Sequence, residues 1–206
     1  MYMNQSTSLD ISAIRVGKIK LLASANLPGA DLAGTQLSEA DFYQANLVGV
    51  NFAGANLLKA TLRANLRGAD FTGADLRGAD FRNADLRGAI FMDAQVRGAS
   101  FAGAFLNGAV LNNLDLSGAD FRGADLRGVN FTRTILFQAE FSSANLAGAD
   151  LSQADLEEAN FTGAILRGTN LQRANLLCAI VDQADSNGAI FTDACLQGTP
   201  LDSVYS

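Results

Sequence analysis

Residues 69–88 read ADFTG ADLRG ADFRN ADLRG and repeat every five residues. With Leu or Phe as the centre of each unit, the spacing runs from Leu27 to Leu62 and from Leu66 to Leu201, interrupted by one four-residue step. Ala fills 29 of the 36 slots two residues before the centre, and Asp or Asn fills 22 of the slots directly before it. Such regularity marks an internal repeat, and the period of that repeat decides which backbone the chain can adopt.

A five-residue period fits neither regular element. In an α-helix, five residues rotate by about 500°, so the Leu and Phe centres would spiral around the surface. In a straight strand, an odd period sends successive centres to opposite faces. The pattern buries its centres only if the chain turns a corner in every unit, and 19 of the 20 glycines lie two residues after a centre, where such a corner is expected. Four corners close a square coil, and parallel coils stack about 4.8 Å apart.

The distribution of phenylalanine supports four sides. All 11 centre phenylalanines fall on even-numbered units, which are two opposite sides of a square. Aromatic rings on one opposed pair of sides and Leu on the other would fill the interior without voids. The rule holds on both sides of the step between Leu62 and Leu66, so we expect the step to shorten one side by a residue without losing a side. The phenylalanines are Phe42, Phe52, Phe71, Phe81, Phe91, Phe101, Phe121, Phe131, Phe141, Phe161 and Phe191.

The A(D/N)LXX pattern over residues 25–201 resembles the pentapeptide-repeat family. The resemblance implies a right-handed quadrilateral β-helix, and its handedness comes from the resemblance alone. We therefore expect an all-β, right-handed quadrilateral parallel β-helix of about nine coils and about 43 Å. Residues 1–24 would form a short N-terminal cap, with a helix-start box at Thr7 and Asp10, and residues 202–206 a C-terminal tail.

The composition argues against several functions. The chain has no His, two Cys and a formal charge of -6, which leaves little material for a zinc site and none for a Ser-His or Cys-His pair. We expect no catalytic residues, no metal and no cofactor. The acidic balance argues against nucleic-acid binding, and without a membrane span or signal peptide the expected location is the cytoplasm. Both cysteines are expected to be free thiols.

Two surface features are candidate binding sites. Ile90, Met92 and Val110 occupy outward slots on one side in adjacent coils, with Phe105 on the neighbouring side. Contiguous exposed apolar groups indicate contact with a protein partner, whereas scattered apolar surface residues are ordinary.

The second feature is a broken basic stripe on one side of the solenoid. Phosphate binding and lateral ion pairing with neighbouring carboxylates, such as Asp85 and Asp125, are the two interpretations. The stripe consists of Arg67, Arg87, Arg127 and Arg167.

Leu114 occupies a slot that usually holds Ala, which we interpret as volume compensation for the small neighbours Val96 and Leu111. At the C-terminal end, an open final coil would allow a homodimer through its unpaired edge. Capping by Val204 and Tyr205 is the alternative there.

A non-catalytic interaction scaffold for an unidentified protein partner fits these features best. The alternative is a DNA-mimicking inhibitor or protector of a DNA-binding enzyme such as gyrase, a role that the resemblance implies for the quinolone-resistance type of the family. This chain departs from a DNA mimic because residues 63–133 carry a net charge of +1, while residues 134–206 carry -7.

Overall fold

Parallel bridges join each unit to the unit one coil further along the chain. The structure, a computed structural model, describes residues 10–205. Each bridge involves the residue directly before a centre, as in Asp125 with Asn145 or Asp155 with Asn175, and the partners are 20 residues apart except across the four-residue step. Because bridges recur every five residues, each 20-residue coil has four of them. The chain is an all-β solenoid of parallel coils, as the repeat predicts.

Each side contributes a single bridge residue and then turns. The N–H of the centre donates to a carbonyl of the next coil, as Leu126 does to Asn145 (2.8 Å). Two residues after the centre, the backbone adopts a left-handed conformation, and residues other than glycine adopt it as well, for example Lys59 (φ 55°) and Glu158 (φ 56°). The corner is therefore imposed by the coil, and glycine only makes it less strained.

The core is a continuous column of centres and alanines. On one side, Phe121, Phe141 and Phe161 stack with parallel rings at centroid distances of 5.1 and 4.9 Å. Phe131 meets Phe121 edge-on at 5.6 Å from the opposed side. Both geometries are favourable for aromatic pairs. The predicted placement of phenylalanine on two opposite sides is confirmed.

The four-residue step shortens one coil and leaves the four sides intact. Asn46 bridges to Asn65, only 19 residues on, whereas Asn65 bridges to Asp85 at the usual 20. Across the step, the Phe52 and Phe71 rings remain stacked at 5.5 Å. The expected consequence of the step is confirmed.

Short helices lie at both ends of the described chain. The first, α1, spans Ile11–Arg15; Asp10 caps it by accepting from the Ala13 N–H (3.1 Å), and Ile14 is buried at the end of the core. Thr7 lies outside the described residues. The second helix, α2, spans Asp202–Tyr205.

The first bridge residue is Leu21, and the neighbouring Leu22 is already buried. No helix within residues 10–205 has the length and apolarity that a bilayer span requires.

The ladder opens at Leu114. This side chain is buried in an alanine slot, and within the described residues Gln95 and Asp115 form no bridge, although each is bridged on its other side. The Val96 and Gly98 N–H groups likewise make no backbone hydrogen bond to the next coil in this part of the structure. We attribute the opening to the extra volume of Leu114, which wedges two coils apart. The small neighbours Val96 and Leu111 do not compensate for it fully.

Candidate functional site

The Asp or Asn that precedes a centre commonly holds the following turn. Its side-chain oxygen accepts the backbone N–H two residues on, as in Thr72 to Asp70 (2.9 Å) and Thr132 to Asn130 (2.9 Å). This local acceptor satisfies a turn N–H that no strand partner reaches. Asp and Asn interchange in the repeat because both supply the same oxygen. The sequence pattern alone did not reveal this role.

Arginine pairs with the aspartate of its own unit. In ADLRG units, the guanidinium reaches back over the centre, and Arg127 donates two hydrogen bonds to Asp125 at 2.8 and 2.7 Å. The Arg127 guanidinium holds the pKa of Asp125 below its usual value, and burial opposes this effect. Five units form such a pair, namely those of Arg77, Arg82, Arg87, Arg122 and Arg127.

Most of the basic stripe is neutralised by these pairs. Arg87 and Arg127 bind the aspartates of their own units, and Arg167 binds Asp185 of the next coil. Arg67 forms no ion pair with any described residue, since Asn65 stands where its unit would carry Asp. The stripe residues share one side of the solenoid, and the geometry favours lateral ion pairing for three of the four.

The apolar candidates divide between two sides. Ile90 and Val110 are bridged directly to one another, and Met92 lies beside Ile90 with 54% of its surface exposed. These three residues form what we call the apolar patch. Phe105 is 48% exposed on the neighbouring side and lines a cleft there.

That cleft, of about 450 Å³, lies at the corner where the step occurs. In the adjacent coils, the corner residues are Gln44 and Asn83, both at a φ of 59°. The step removes the equivalent residue, and the Ala64 N–H donates instead to the Leu62 carbonyl (2.9 Å) in a tighter turn. The recessed corner forms the cleft, which we call the step cleft. Its walls include Arg63, the ion pair of Asp85 with Arg87, Phe105, and the asparagines Asn46, Asn65 and Asn83.

The step cleft contains an unsatisfied buried acceptor. Elsewhere, an asparagine Nδ2 commonly donates to the side chain one coil earlier, as Asn46 does to Asn26 Oδ1 (2.7 Å) and Asn51 to Asp31 Oδ1 (3.1 Å). Across the step, this bond does not form, and Asn46 Oδ1 is buried without a partner among the described residues. Sequence reasoning located the step but missed the cleft, although a deletion confined to one corner is a signal that could have identified it.

The cysteines and the possible metal ligands remain to be placed in the described chain. Cys178 and Cys195 are free and exposed, as predicted. Within residues 10–205, no group of three or more Cys, Asp or Glu side chains is placed to hold a metal ion.

Comparisons with known proteins point to one family. The family description "Pentapeptide repeats" matches the chain in eight copies, over residues 21–54, 35–63, 45–88, 64–101, 89–128 and 139–176. HetL, a pentapeptide repeat protein involved in heterocyst differentiation regulation in the cyanobacterium Nostoc sp. strain PCC 7120, is 33% identical, with a TM-score of 0.49. The match covers 86% of this chain and 78% of HetL.

Two other solved structures are more distant. A pentapeptide repeat protein of the Arabidopsis thaliana thylakoid lumen is 28% identical over 65% of this chain and 69% of its own, with a TM-score of 0.24. A trypsin-treated form of QnrB1, a plasmid-mediated fluoroquinolone resistance protein, is 20% identical over 87% of this chain and 82% of its own, with a TM-score of 0.43. No curated protein matches the chain.

Proposed function

Since the chain belongs to the pentapeptide-repeat family, we propose that it is a non-catalytic scaffold that binds a protein partner through the apolar patch. The observation that carries this proposal is the identity of Ile90 and Val110. Each replaces the Asp or Asn that would hold the following turn. Ile90 is 37% exposed, and Val110 beside it is half-buried. Giving up a turn hydrogen bond and exposing apolar area are both unfavourable in an isolated chain, so contact with a partner supplies the missing compensation.

The carboxylates support a non-catalytic role. A general acid at neutral pH needs a raised pKa, whereas the paired carboxyls have lowered ones. The Arg87 side chain beside Asp85 lowers the pKa of that carboxyl, and the Ser117 hydroxyl does the same for Asp115. These groups remain ionised and are engaged in local structure.

Gyrase protection by DNA mimicry is the less favoured alternative. A DNA mimic needs unpaired negative charge along its length, and in the middle coils five aspartates are bound by the arginines of their own units. A gyrase supercoiling assay with added protein separates the two functions. We expect supercoiling to be unchanged, and inhibition at stoichiometric protein would favour the mimic.

The finer details of the architecture belong to the same proposal. We propose a right-handed solenoid of about nine coils that extends to residue 201, followed by a tail over 202–206. The ladder already includes Leu21, so the cap expected over residues 1–24 ends before that residue. We also propose that the protein is cytoplasmic and that it forms a homodimer through its final coil. Val181, Phe191 and Leu196 near that coil are 7–8% exposed, while most centres in the middle coils are fully covered.

Site-specific crosslinking in the source organism tests the apolar patch. A photoreactive amino acid at Met92 should capture a discrete partner, and Ile90→Asn with Val110→Asn should abolish that adduct. Asn supplies the turn acceptor, so the double variant should fold normally. The matched control is Ile165→Asn, an exposed bridge residue on another side, which should leave the adduct unchanged. An adduct that persists in the double variant would refute the patch.

A further inference from the structure

The step cleft combines features that point to a ligand with both negative charge and a hydrogen-bond donor. Arg63 on its wall forms no ion pair within the described residues. Its Nε donates to the Arg82 carbonyl (3.3 Å), and its guanidinium lies 5.4 Å from the centre of the Tyr43 ring. These contacts orient the side chain. Asp80, which interacts electrostatically with Arg63, and Asp85 on the cleft wall are each bound by the arginine of their own unit, so neither forms a direct ion pair with Arg63.

The sequence explains why positive charge is unpaired at this place. Most arginines that follow a centre have an Asp two residues earlier, but Thr61 precedes Arg63 and Asn65 precedes Arg67. Two consecutive units therefore carry arginine without an aspartate of their own, as the isolated units of Arg97 and Arg167 also do. Both units flank the shortened corner, so the recess and the unpaired charge coincide.

Asn46 and Phe105 on the cleft wall indicate which other groups the ligand carries. Asn46 Oδ1 is a buried acceptor that has no partner among residues 10–205, and an N–H or O–H donor would satisfy it. Phe105 exposes half of its surface at the cleft and offers an apolar contact. An extended peptide supplies all three features at once: a main-chain N–H, a carboxylate side chain and an aliphatic side chain.

We propose that the step cleft binds an acidic, extended segment of a protein partner. The carboxylate pairs with Arg63, and an apolar side chain packs on Phe105. A main-chain N–H of the segment donates to Asn46 Oδ1, and because this oxygen is buried the Asn46 amide must first turn toward the cleft. This inference rests on the proposed scaffold function and adds the chemistry of the segment that the scaffold recognises. It concerns a surface around the corner from the apolar patch, so the two sites can be tested separately.

Peptide titration of the full chain tests the proposal. The probes are acetyl-Glu-Leu-Glu-Leu-amide and its neutral analogue acetyl-Gln-Leu-Gln-Leu-amide, followed by the NMR signals of the Asn46, Asn65 and Asn83 side-chain amides. We expect saturable shifts with the acidic peptide and about tenfold weaker binding of the neutral one, since a charge-assisted contact is lost. Equal binding of both peptides, or an absence of shifts at these amides, would overturn the proposal.

Two variants separate specific binding from general attraction. R63Q should remove the preference for the acidic peptide, while the matched control R97Q, another arginine without an ion pair among the described residues, should retain it. Insertion of Gly between Arg63 and Ala64 refills the corner and should abolish binding in a folded chain. Binding that survives the insertion would place the peptide elsewhere and contradict the proposal.

Two further outcomes identify other occupants. If sodium acetate produces the same saturable shifts at the same concentration, the site takes small anions and the peptide proposal fails. If sedimentation shows a dimer that the Gly insertion abolishes, a second copy of this chain fills the cleft and the proposal fails too. Because these assays use the purified chain and synthetic peptides, failure here leaves the crosslinking result at Met92 as an independent test of the scaffold.

Discussion

Restoring the missing corner residue should make the chain more stable. Insertion of Gly between Arg63 and Ala64 converts TLRANLRG into TLRGANLRG, which has the regular five-residue spacing. At the equivalent corners, the Gln44 N–H donates to the Arg63 carbonyl and the Asn83 N–H to the Ala102 carbonyl, both at 2.9 Å. The inserted Gly should regain one such bond, and Asn46 Oδ1 should regain a partner in Asn65.

The expected gain is small because the terms oppose one another. A recovered ladder bond contributes about 1 kcal/mol, and satisfying a buried acceptor contributes about 1–3 kcal/mol. Ordering one more residue opposes this by about 1–2 kcal/mol. The net increase in the free energy of unfolding is about 1 kcal/mol, which corresponds to about 2–4 °C in Tm for a chain of this size.

Thermal unfolding followed by far-UV circular dichroism measures this change. The matched control is the same insertion between Gly148 and Ala149, at a corner that is already complete, where Gly148 donates to the Arg167 carbonyl (2.9 Å). There the extra residue disrupts a regular ladder and should lower Tm. If the insertion at the step lowers Tm as much as the control does, our interpretation of the step is wrong.

Three further predictions concern the core, the ladder and pH. Phe81→Ala should lower the free energy of unfolding by about 3–5 kcal/mol, because it empties a site within 6 Å of three rings; a loss below about 1 kcal/mol in chemical denaturation would contradict the packing. Amide hydrogen exchange at Val96 and Gly98 should be faster than at amides that donate to the next coil, such as Leu126 and Gly148, and should slow in Leu114→Ala; uniform protection would refute the wedge. Because Arg pairing lowers the pKa of Asp85 in the folded chain, its stabilisation is present above about pH 4 and is lost as the pH falls below that. The Asp85→Asn variant should therefore lose less stability between pH 6 and pH 2.5 than the unchanged chain, and identical acid profiles would contradict the pairing.

The architecture was predictable because it follows from the five-residue spacing of the Leu and Phe centres. Only a corner in every unit buries both the Ala and the Leu or Phe, and the alternation of Phe101 and Leu106 along the chain assigns them to different sides. The step between Leu62 and Leu66 was also interpretable, since the phenylalanine rule continues beyond it. These inferences need only the sequence positions of the large apolar residues.

The features that sequence missed depend on local hydrogen bonds. The spacing places Asp125 outward, but only coordinates reveal that its oxygen holds the next turn while Arg127 binds the same carboxylate. The gap at Leu114 arises because two coils separate to accommodate one side chain, and spacing contains no information about that movement. The step cleft combines both effects: the sequence locates the deletion, while the orphaned Asn46 oxygen depends on side-chain geometry.

An atomic-resolution crystal structure of the unmodified chain tests the central claim most directly. We predict that Asn46 bridges to Asn65 with a 19-residue register, that Phe52 and Phe71 stack across the step, and that an open cleft exposes the recessed corner. A 20-residue register maintained through this coil, or Phe71 directed into solvent, would contradict the claim.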